Sequence, residues 1–258
     1  MNLDELLAAA PRTMKPRSAG LTSVIDTGYG VRLLDDHLHT CGPYVDLAKL
    51  GFGTGLIMAN LTDKLAMYRD HEIDVCFGGT LFEFFYVRDR LDDYKRWITD
   101  LGVGTVEISD GVVEFQGDRK LELIAEFARD FTVLSEVGRK DSSTVVAPIR
   151  WVKSIRDELE AGAALVILEG RESGTAGLYR TTGEMRTGLV EEVLEAGFDP
   201  AKLVFEAPKQ DQQAYLIRLL GPSVNLANIA LFDVLACETL RRGLRGDTLH
   251  HFHILPRQ

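Results

Sequence analysis

Short apolar runs and longer amphipathic segments alternate along the whole chain. An apolar run bounded by turn residues is typical of a buried parallel strand, and apolar positions at a period near 3.6 are typical of a helix packed on one face. Strands are predicted at Leu21–Asp26, Val45–Leu50, Ile73–Phe77, Thr105–Ser109, Phe131–Leu134, Ala164–Glu169, Leu203–Glu206 and Ser223–Asn228. Helices are predicted at Asn2–Ala10, Leu33–Cys41, Thr62–His71, Leu81–Leu101, Arg119–Asp130, Ile149–Ala161, Met185–Ala196, Gln210–Leu220 and Asp233–Arg242.

Strands that alternate with helices, without a long Pro/Gly/Ser linker, predict a single (β/α)₈ TIM barrel over residues 1–258. Residues 1–20 form an N-terminal extension with a short helix, and residues 246–258 form a tail in this interpretation. An open doubly wound sheet is the alternative. That fold usually carries a Gly-rich nucleotide loop after its first strand, and Asp26-Thr27-Gly28-Tyr29-Gly30 does not match the fingerprint.

Charge and composition narrow the possible partners. The formal net charge of -10 argues against binding to nucleic acid or to an anionic membrane, so an anionic substrate would need a local cluster of cations. No stretch approaches the ~18 apolar residues of a membrane span. Cys41, Cys76 and Cys237 are distant and odd in number, which argues against a disulfide framework or a zinc knuckle. Because Met1–Ala10 also lacks the features of a signal peptide, we expect a cytoplasmic protein.

Polar residues occupy strand positions at which apolar residues are normally expected. They are Asp26, Lys49, Glu107, Glu136, Glu169, Glu206 and Asn225. The carboxyl ends of barrel strands carry the chemistry of barrel enzymes, although a strand-end carboxylate can equally be half of an ordinary salt bridge. A ring of glutamates would raise the pKa of each member unless a divalent cation or cationic side chains neutralised it.

Cationic residues recur at the same places along the chain, at or just after predicted strand ends. They are Lys49, Arg139, Lys140, Arg171 and Lys209. They could bind phosphate or carboxylate groups, or they could simply pair with the glutamates. The segments after strands seven and eight, Lys209–Gln213 and Asn225–Ile229, lie where barrels often bind phosphate. The residues therefore predict a barrel mouth that combines Mg²⁺ with a small phosphorylated or carboxylated substrate.

Several ordered motifs between about Arg17 and Leu249 resemble the phosphosulfolactate synthase family. They are Gly20-Leu21-Thr22, Lys49-Leu50-Gly51-Phe52-Gly53-Thr54, Gly78-Gly79-Thr80-Leu81-Phe82-Glu83, Glu107-Ile108-Ser109-Asp110-Gly111, Ser135-Glu136-Val137-Gly138-Arg139-Lys140, Glu169-Gly170-Arg171-Glu172-Ser173-Gly174, Phe205-Glu206-Ala207-Pro208 with Gln212-Gln213, Val224-Asn225-Leu226-Ala227-Asn228-Ile229 and Leu240 to Thr248.

The resemblance implies a (β/α)₈ barrel that uses Mg²⁺ to add sulfite to phosphoenolpyruvate, giving 2-phospho-3-sulfolactate, as in the opening step of coenzyme M biosynthesis. By matching position it implies a general acid at Lys140, and it places Arg171 with Lys140 among the catalytic residues, as a candidate for holding phosphate, carboxylate or sulfite. Its implied metal ligands are Glu136, Glu169 and Glu206, and its implied substrate-binding residues are Lys49, Arg139, Lys209, Gln213, Asn225 and Asn228. We also expect a homo-oligomer.

One departure from the family and two alternatives remain. The family usually has Gly-Lys-Lys where this chain has Gly138-Arg139-Lys140, and a guanidinium does not release a proton near neutrality. The family also includes plant heat-stress-associated relatives, so a non-catalytic stress-associated barrel is one alternative. A lyase acting on another enolisable phosphorylated acid is the other.

Overall fold

The computed structural model describes residues 12–138 and 146–252. Its strands are β1 (Thr22–Asp26), β2 (Leu47–Leu50), β3 (Asp74–Phe77), β4 (Thr105–Ile108), β5 (Thr132–Val137), β6 (Leu165–Leu168), β7 (Leu203–Glu206) and β8 (Asn225–Ala230). They pair in parallel in the order β3-β2-β1-β8-β7-β6-β5-β4, and β3 also contacts β4. This nearly closed barrel, with helices between successive strands, confirms the predicted (β/α)₈ fold.

The helices are α1 (Val31–Cys41), α2 (Leu61–Asp70), α3 (Gly79–Tyr86), α4 (Leu91–Asp100), α5 (Arg119–Phe127), α6 (Pro148–Glu160), α7 (Thr187–Glu195), α8 (Gln210–Leu220), α9 (Val234–Arg241) and α10 (Gly246–Phe252). The prediction of one helix over Leu81–Leu101 is wrong. Asp89 has a left-handed φ of 53°, and the amide of Arg90 bonds back to the carbonyl of Phe85, so the chain turns between α3 and α4. The predicted tail begins with α10, and the predicted helix Asn2–Ala10 lies outside the described residues.

The barrel interior is closed by a small apolar layer. Its buried members are Cys76, Leu134, Ile167, Val204 and Ala227. Three of them precede a strand-end glutamate by two positions, so alternation along the strand directs both side chains into the barrel. The apolar layer therefore separates the carboxyl end of the barrel interior, where the glutamates lie, from the amino end. A second and larger core fills the space between the strands and the surrounding helices.

Residues before β1 pack across the amino end of the barrel. The guanidinium of Arg12 lies 3.1 Å from the carboxylate of Glu238, and that of Arg17 lies 2.8 Å from Asp46. Burial lowers the pKa of Arg12 to about 10. Both pairs join the extension to the barrel, which gives its described part a structural role. None of the helices in the described ranges has the length and apolar character needed to span a membrane.

Candidate active site

A cavity of about 290 Å³ lies at the carboxyl ends of the strands. Charged side chains of Lys49, Glu107, Glu136, Glu169, Arg171, Glu172 and Glu206 line it, together with Asn228 and backbone from Gly51 to Gly53 and from Gly78 to Thr80. Most of these side chains come from strand ends, and the cavity opens between the loops that follow the strands. This is the location at which barrel enzymes bind their substrates.

A buried lysine joins two of the glutamates. The Nζ atom of Lys49 lies 2.8 Å from Oε1 of Glu206 and 3.4 Å from Oε2 of Glu107. Burial by itself would lower the pKa of Lys49, but the neighbouring carboxylates, foremost that of Glu107, raise it well above its ordinary value. Lys49 therefore keeps its proton and acts as a fixed positive charge. Burial raises the pKa of Glu107, although Lys49 opposes that effect.

Three glutamates from neighbouring strands meet beside this lysine. One carboxylate oxygen from each of Glu136, Glu169 and Glu206 lies within 4.8 Å of the others, and all three residues are buried. Strand register produces this meeting: Glu136 pairs with Ile167, two residues before Glu169, and Leu168 pairs with Phe205, directly before Glu206. Three converging carboxylates are hard oxygen donors, which Mg²⁺ prefers over softer metals. The donor set therefore fits the metal that the resemblance implies.

Backbone amides fix the direction of several of these carboxylates. The amide of Gly79 donates to Oε1 of Glu107 at 2.6 Å, and the amide of Gly170 donates to Oε2 of Glu206 at 2.8 Å. The amide of Arg171 donates to Oε1 of Glu169 at 2.6 Å. Each carboxylate thus presents a fixed edge to the cavity, as required of a preorganised binding site.

Strained backbone surrounds the same cavity. Phe52, Arg171 and Asn228 have φ values of 55°, 58° and 57°, in the left-handed region that residues other than glycine rarely adopt. In β8 the register with β1 shifts between Leu226 and Ile229, so one extra residue is inserted there. This bulge includes Asn228 and directs its side chain into the cavity, where Oδ1 is buried without a hydrogen-bond partner among the described residues. Such clustering of strain is typical of functional sites.

The cavity is acidic within the described residues. Five glutamates and two cations line it, which gives a formal charge of 2 - 5 = -3 when all of them are ionised. An anionic substrate would be repelled by this charge unless further cations were present. A divalent ion at the three converging carboxylates would cancel two of the negative charges, which is a second reason why this donor set suits Mg²⁺.

The structure brings together six residues of the predicted site: Lys49, Glu136, Glu169, Arg171, Glu206 and Asn228. Asn225 lies elsewhere, at the amino end of β8, where Oδ1 accepts from the amide of Leu21 and Nδ2 donates to the carbonyls of Ala201 and Leu203. The expectation that its side chain lies at the barrel mouth is wrong, because the residue opens the strand instead of ending it.

Two further predicted residues stand outside the cavity lining. Gln213 is buried and donates to the carbonyl of Ala207 at 3.0 Å. Lys209 is exposed at the start of α8, with its ammonium beside Gly183. Arg139 and Lys140 lie outside the described residues.

Glu107 is the main addition that the structure makes to the predicted site. The sequence pattern singles it out as a strand glutamate but does not place it among the metal or substrate ligands. A second glutamate, Glu83 on α3, is buried and accepts from the hydroxyl of Ser109 and the amides of Val112 and Val113. It thereby holds the loop after β4 beside the cavity, and its place in the Gly78–Glu83 motif could have indicated that role.

The fold and the cavity define a (β/α)₈-barrel protein with an acidic, lysine-bridged site at the carboxyl ends of its strands, an arrangement typical of barrel enzymes. Solved structures agree on the fold. The 3-hexulose-6-phosphate synthase from Salmonella typhimurium superposes with a TM-score of 0.56 at 15% identity, covering 90% of this chain and 99% of that one. An identity this low supports the shared fold alone.

Sequence comparison identifies the family. Residues 10–247 match the family model described as (2R)-phospho-3-sulfolactate synthase (ComA). The phosphosulfolactate synthase of Bacillus subtilis (strain 168) is 39% identical over 239 residues, covering 92% of this chain and 95% of that protein. The phosphosulfolactate synthase of Methanothermobacter thermautotrophicus is 40% identical over 246 residues, covering 93% and 95%. The chain belongs to the phosphosulfolactate synthase family and is an enzyme of that family.

Proposed function

We propose that this enzyme adds sulfite to phosphoenolpyruvate in the presence of Mg²⁺ and releases 2-phospho-3-sulfolactate. Membership of the phosphosulfolactate synthase family supports the reaction. The observation that carries the metal requirement is the convergence of Glu136, Glu169 and Glu206 within 4.8 Å at the base of an acidic cavity.

The three glutamates would hold the ion by their carboxylate oxygens. When bound there, Mg²⁺ would supply the positive charge that stabilises negative charge developing on the substrate carboxylate. The apolar layer beneath Glu136, Glu169 and Glu206 limits water on the inner side of the site, which strengthens such electrostatic effects.

The protein's own cations would orient the anionic reactants. Lys49 is held between Glu107 and Glu206, whose carboxylates raise its pKa, so it would attract an anion as a positive charge. Arg171 lies at the rim of the cavity with 41% of its side chain exposed. A guanidinium can bind a phosphate or carboxylate through two hydrogen bonds. Asn228 adds a polar group that faces the same cavity.

The addition also needs a proton donor. The sulfur of sulfite forms a bond to the methylene carbon of phosphoenolpyruvate, and the electrons of the carbon–carbon double bond move toward the carboxylate. The adjacent carbon then takes up one proton. We assign that proton to Lys140, which occupies the position that the family resemblance implies for the general acid; its neighbour Arg139 is a guanidinium, which does not release a proton near neutrality.

Phosphorus NMR tests the proposal directly. Purified enzyme is mixed with phosphoenolpyruvate, sulfite and Mg²⁺, and a new phosphomonoester resonance is expected. Omission of sulfite, or chelation of Mg²⁺, is expected to abolish it. Glu169→Gln and Lys140→Ala should lose the activity, whereas Lys153→Ala, which removes an exposed lysine on α6, should retain it.

Two results would count against the proposed reaction. If no new phosphomonoester forms with a folded enzyme, the sulfite addition is wrong and a non-catalytic role becomes the better interpretation. If phosphoenolpyruvate or a related acid is consumed equally well without sulfite, the enzyme is a lyase or isomerase with a different co-substrate.

A further inference from the structure

A group of metal-ligating side chains lies outside the barrel, remote from the cavity. Asp35 and His39 belong to α1, and His71 directly follows α2. Both helices end here and lead into the amino ends of β2 and β3. The group, which we call the Asp35–His39–His71 cluster, therefore lies at the opposite end of the barrel from the glutamates.

The three side chains converge on a single point. Oδ1 of Asp35 lies 3.2 Å from Nδ1 of His39 and 3.8 Å from Nε2 of His71. The two imidazole rings are 5.2 Å apart between centroids and cross at 82°, and one ligand atom from each residue lies within 4.8 Å of the others. Ligands about 2.0–2.1 Å from a tetrahedral zinc ion are ~3.3 Å apart, so only small side-chain movements are needed to enclose one.

Local structure places Asp35 and His39 side by side and holds His71 in position. Asp35 and His39 are four residues apart on one helix and so share a face. His71 is held from behind: its carbonyl accepts from Nζ of Lys15 at 3.1 Å, and its ring packs on Gly42, where a Cβ would come within 3.2 Å of Nδ1. The ring of His39 is largely exposed, and within the described residues its polar contacts are both with Asp35, so it can turn toward an ion.

An ordinary surface ion pair explains this cluster less well than a metal site. One histidine beside one aspartate is common and weakly stabilising. Here two imidazoles, one on α1 and one directly after α2, approach the same carboxylate oxygen, and two of the three side chains are partly buried. Two imidazole nitrogens and a carboxylate oxygen form a donor set that selects Zn²⁺ and similar transition metals over Mg²⁺.

We propose that Asp35, His39 and His71 bind a zinc-class divalent ion, with a water molecule at the remaining position, and that this ion links α1 to α2. The site is independent of the reaction proposed for the barrel mouth. It differs from the three-glutamate site in ligand chemistry, which allows the two to be separated by experiment.

Metal stoichiometry is the primary test. The untagged full-length protein is dialysed against Zn²⁺ and its metal content is measured by mass spectrometry, with Co²⁺ substitution to record the visible bands of a nitrogen–oxygen site. We expect His39→Gln and His71→Gln to lose one equivalent of zinc and to weaken binding ~10-fold or more. Zinc at about 100 times its Kd should raise the Tm of the natural protein by ~5 °C and leave the Tm of these variants unchanged.

Matched control variants test whether zinc binds at another place on the protein. Two control variants should still bind one equivalent of zinc. They are Asp36→Asn, at the exposed neighbour of Asp35 on α1, and His251→Gln, at an exposed histidine on α10. Glu169→Gln should also keep one equivalent of zinc, since that change affects the three-glutamate site in the barrel. The proposal is overturned if the zinc content of His39→Gln and His71→Gln equals that of the natural protein, or if His251→Gln is the variant that loses the ion. Circular dichroism of each variant without metal checks that the substitutions leave the fold intact.

Discussion

Removal of the buried lysine of the active site should destabilise the protein in a way that depends on pH. Lys49 is 6% exposed and bridges Glu107 and Glu206 at 3.4 and 2.8 Å. Lys49→Met keeps a side chain of similar length but deletes the charge, leaving buried carboxylates without this cation. Breaking a buried ion pair by removing one partner typically costs about 3–5 kcal/mol, and we expect a loss in that range at pH 8 without divalent metal.

The pH dependence follows from the pKa of Glu107. Burial raises that pKa in the folded protein and Lys49 opposes the rise, so Lys49→Met should raise it further. A carboxyl group with a raised folded pKa binds more protons in the folded state, and the free energy of unfolding then falls as pH rises from the unfolded pKa toward the folded one. Lys49 itself has a raised folded pKa, so its contribution is fully present below its ordinary value of 10.5. The destabilisation by Lys49→Met should therefore be larger at pH 8 than at pH 5.

Urea unfolding followed by tryptophan fluorescence measures this difference. Trp97 and Trp151 both lie in helices that pack on the barrel, and the titration is run at both pH values with a chelator present. Each unit by which the pKa of Glu107 rises adds up to about 1.4 kcal/mol to the difference between the two conditions. Lys153→Met, which breaks an exposed pair with Asp157, should show no change at either pH. Equal destabilisation by Lys49→Met at pH 5 and pH 8 would refute the reasoning.

Three further substitutions separate metal binding from stability. Glu169→Gln should weaken Mg²⁺ binding by at least ~10–100-fold in calorimetric titration, because it removes a negative oxygen ligand; unchanged affinity would exclude this residue as a ligand. Gly177→Ala should lower the free energy of unfolding in urea by more than ~1–2 kcal/mol, since φ is +57° and the new Cβ would clash with the carbonyl oxygen of Glu169; a neutral effect would contradict the close approach. Lys64→Met should cost about 3–5 kcal/mol because it leaves the buried charge of Asp26 without its cation, while the Mg²⁺ affinity stays constant; altered affinity would contradict a purely structural role for this pair.

The sequence predicts the barrel well because its strands are buried on both faces and so appear as compact apolar runs. All eight predicted strands overlap the observed ones. The prediction of secondary structure fails where tertiary contacts, and not local periodicity, determine the backbone conformation. The Leu81–Leu101 segment has helical periodicity throughout, and nothing in that period indicates that Asp89 takes a left-handed conformation and splits it.

The site is harder to predict because alternation along a strand does not state which face is inward. Asp26 follows Val24 at the same spacing as Glu136 follows Leu134, yet Asp26 points to the helices and Glu136 into the barrel. The sequence predicts strand β8 two residues too early at both ends, and this shift moves the expected position of Asn225 toward the mouth. The alternation identifies Glu136, Glu169 and Glu206 only as strand-end carboxylates, and their selection as metal ligands depends on the family resemblance.

The number of donors that each carboxylate receives from the protein distinguishes a structural from a functional acid. Asp26 is satisfied by four donors within 3.0 Å, from the side chains of Lys64 and Tyr68 and the amides of Gly28 and Tyr29. Glu107 and Glu206 are buried to the same degree, but among the described residues each receives one backbone amide and they share the single ammonium of Lys49. A buried carboxylate that is given fewer donors costs stability, and the fold accepts that cost at the cavity. A bound metal ion or a donor group of the substrate can satisfy the glutamates there. Each oxygen of Asp26, by contrast, already accepts two hydrogen bonds from the protein.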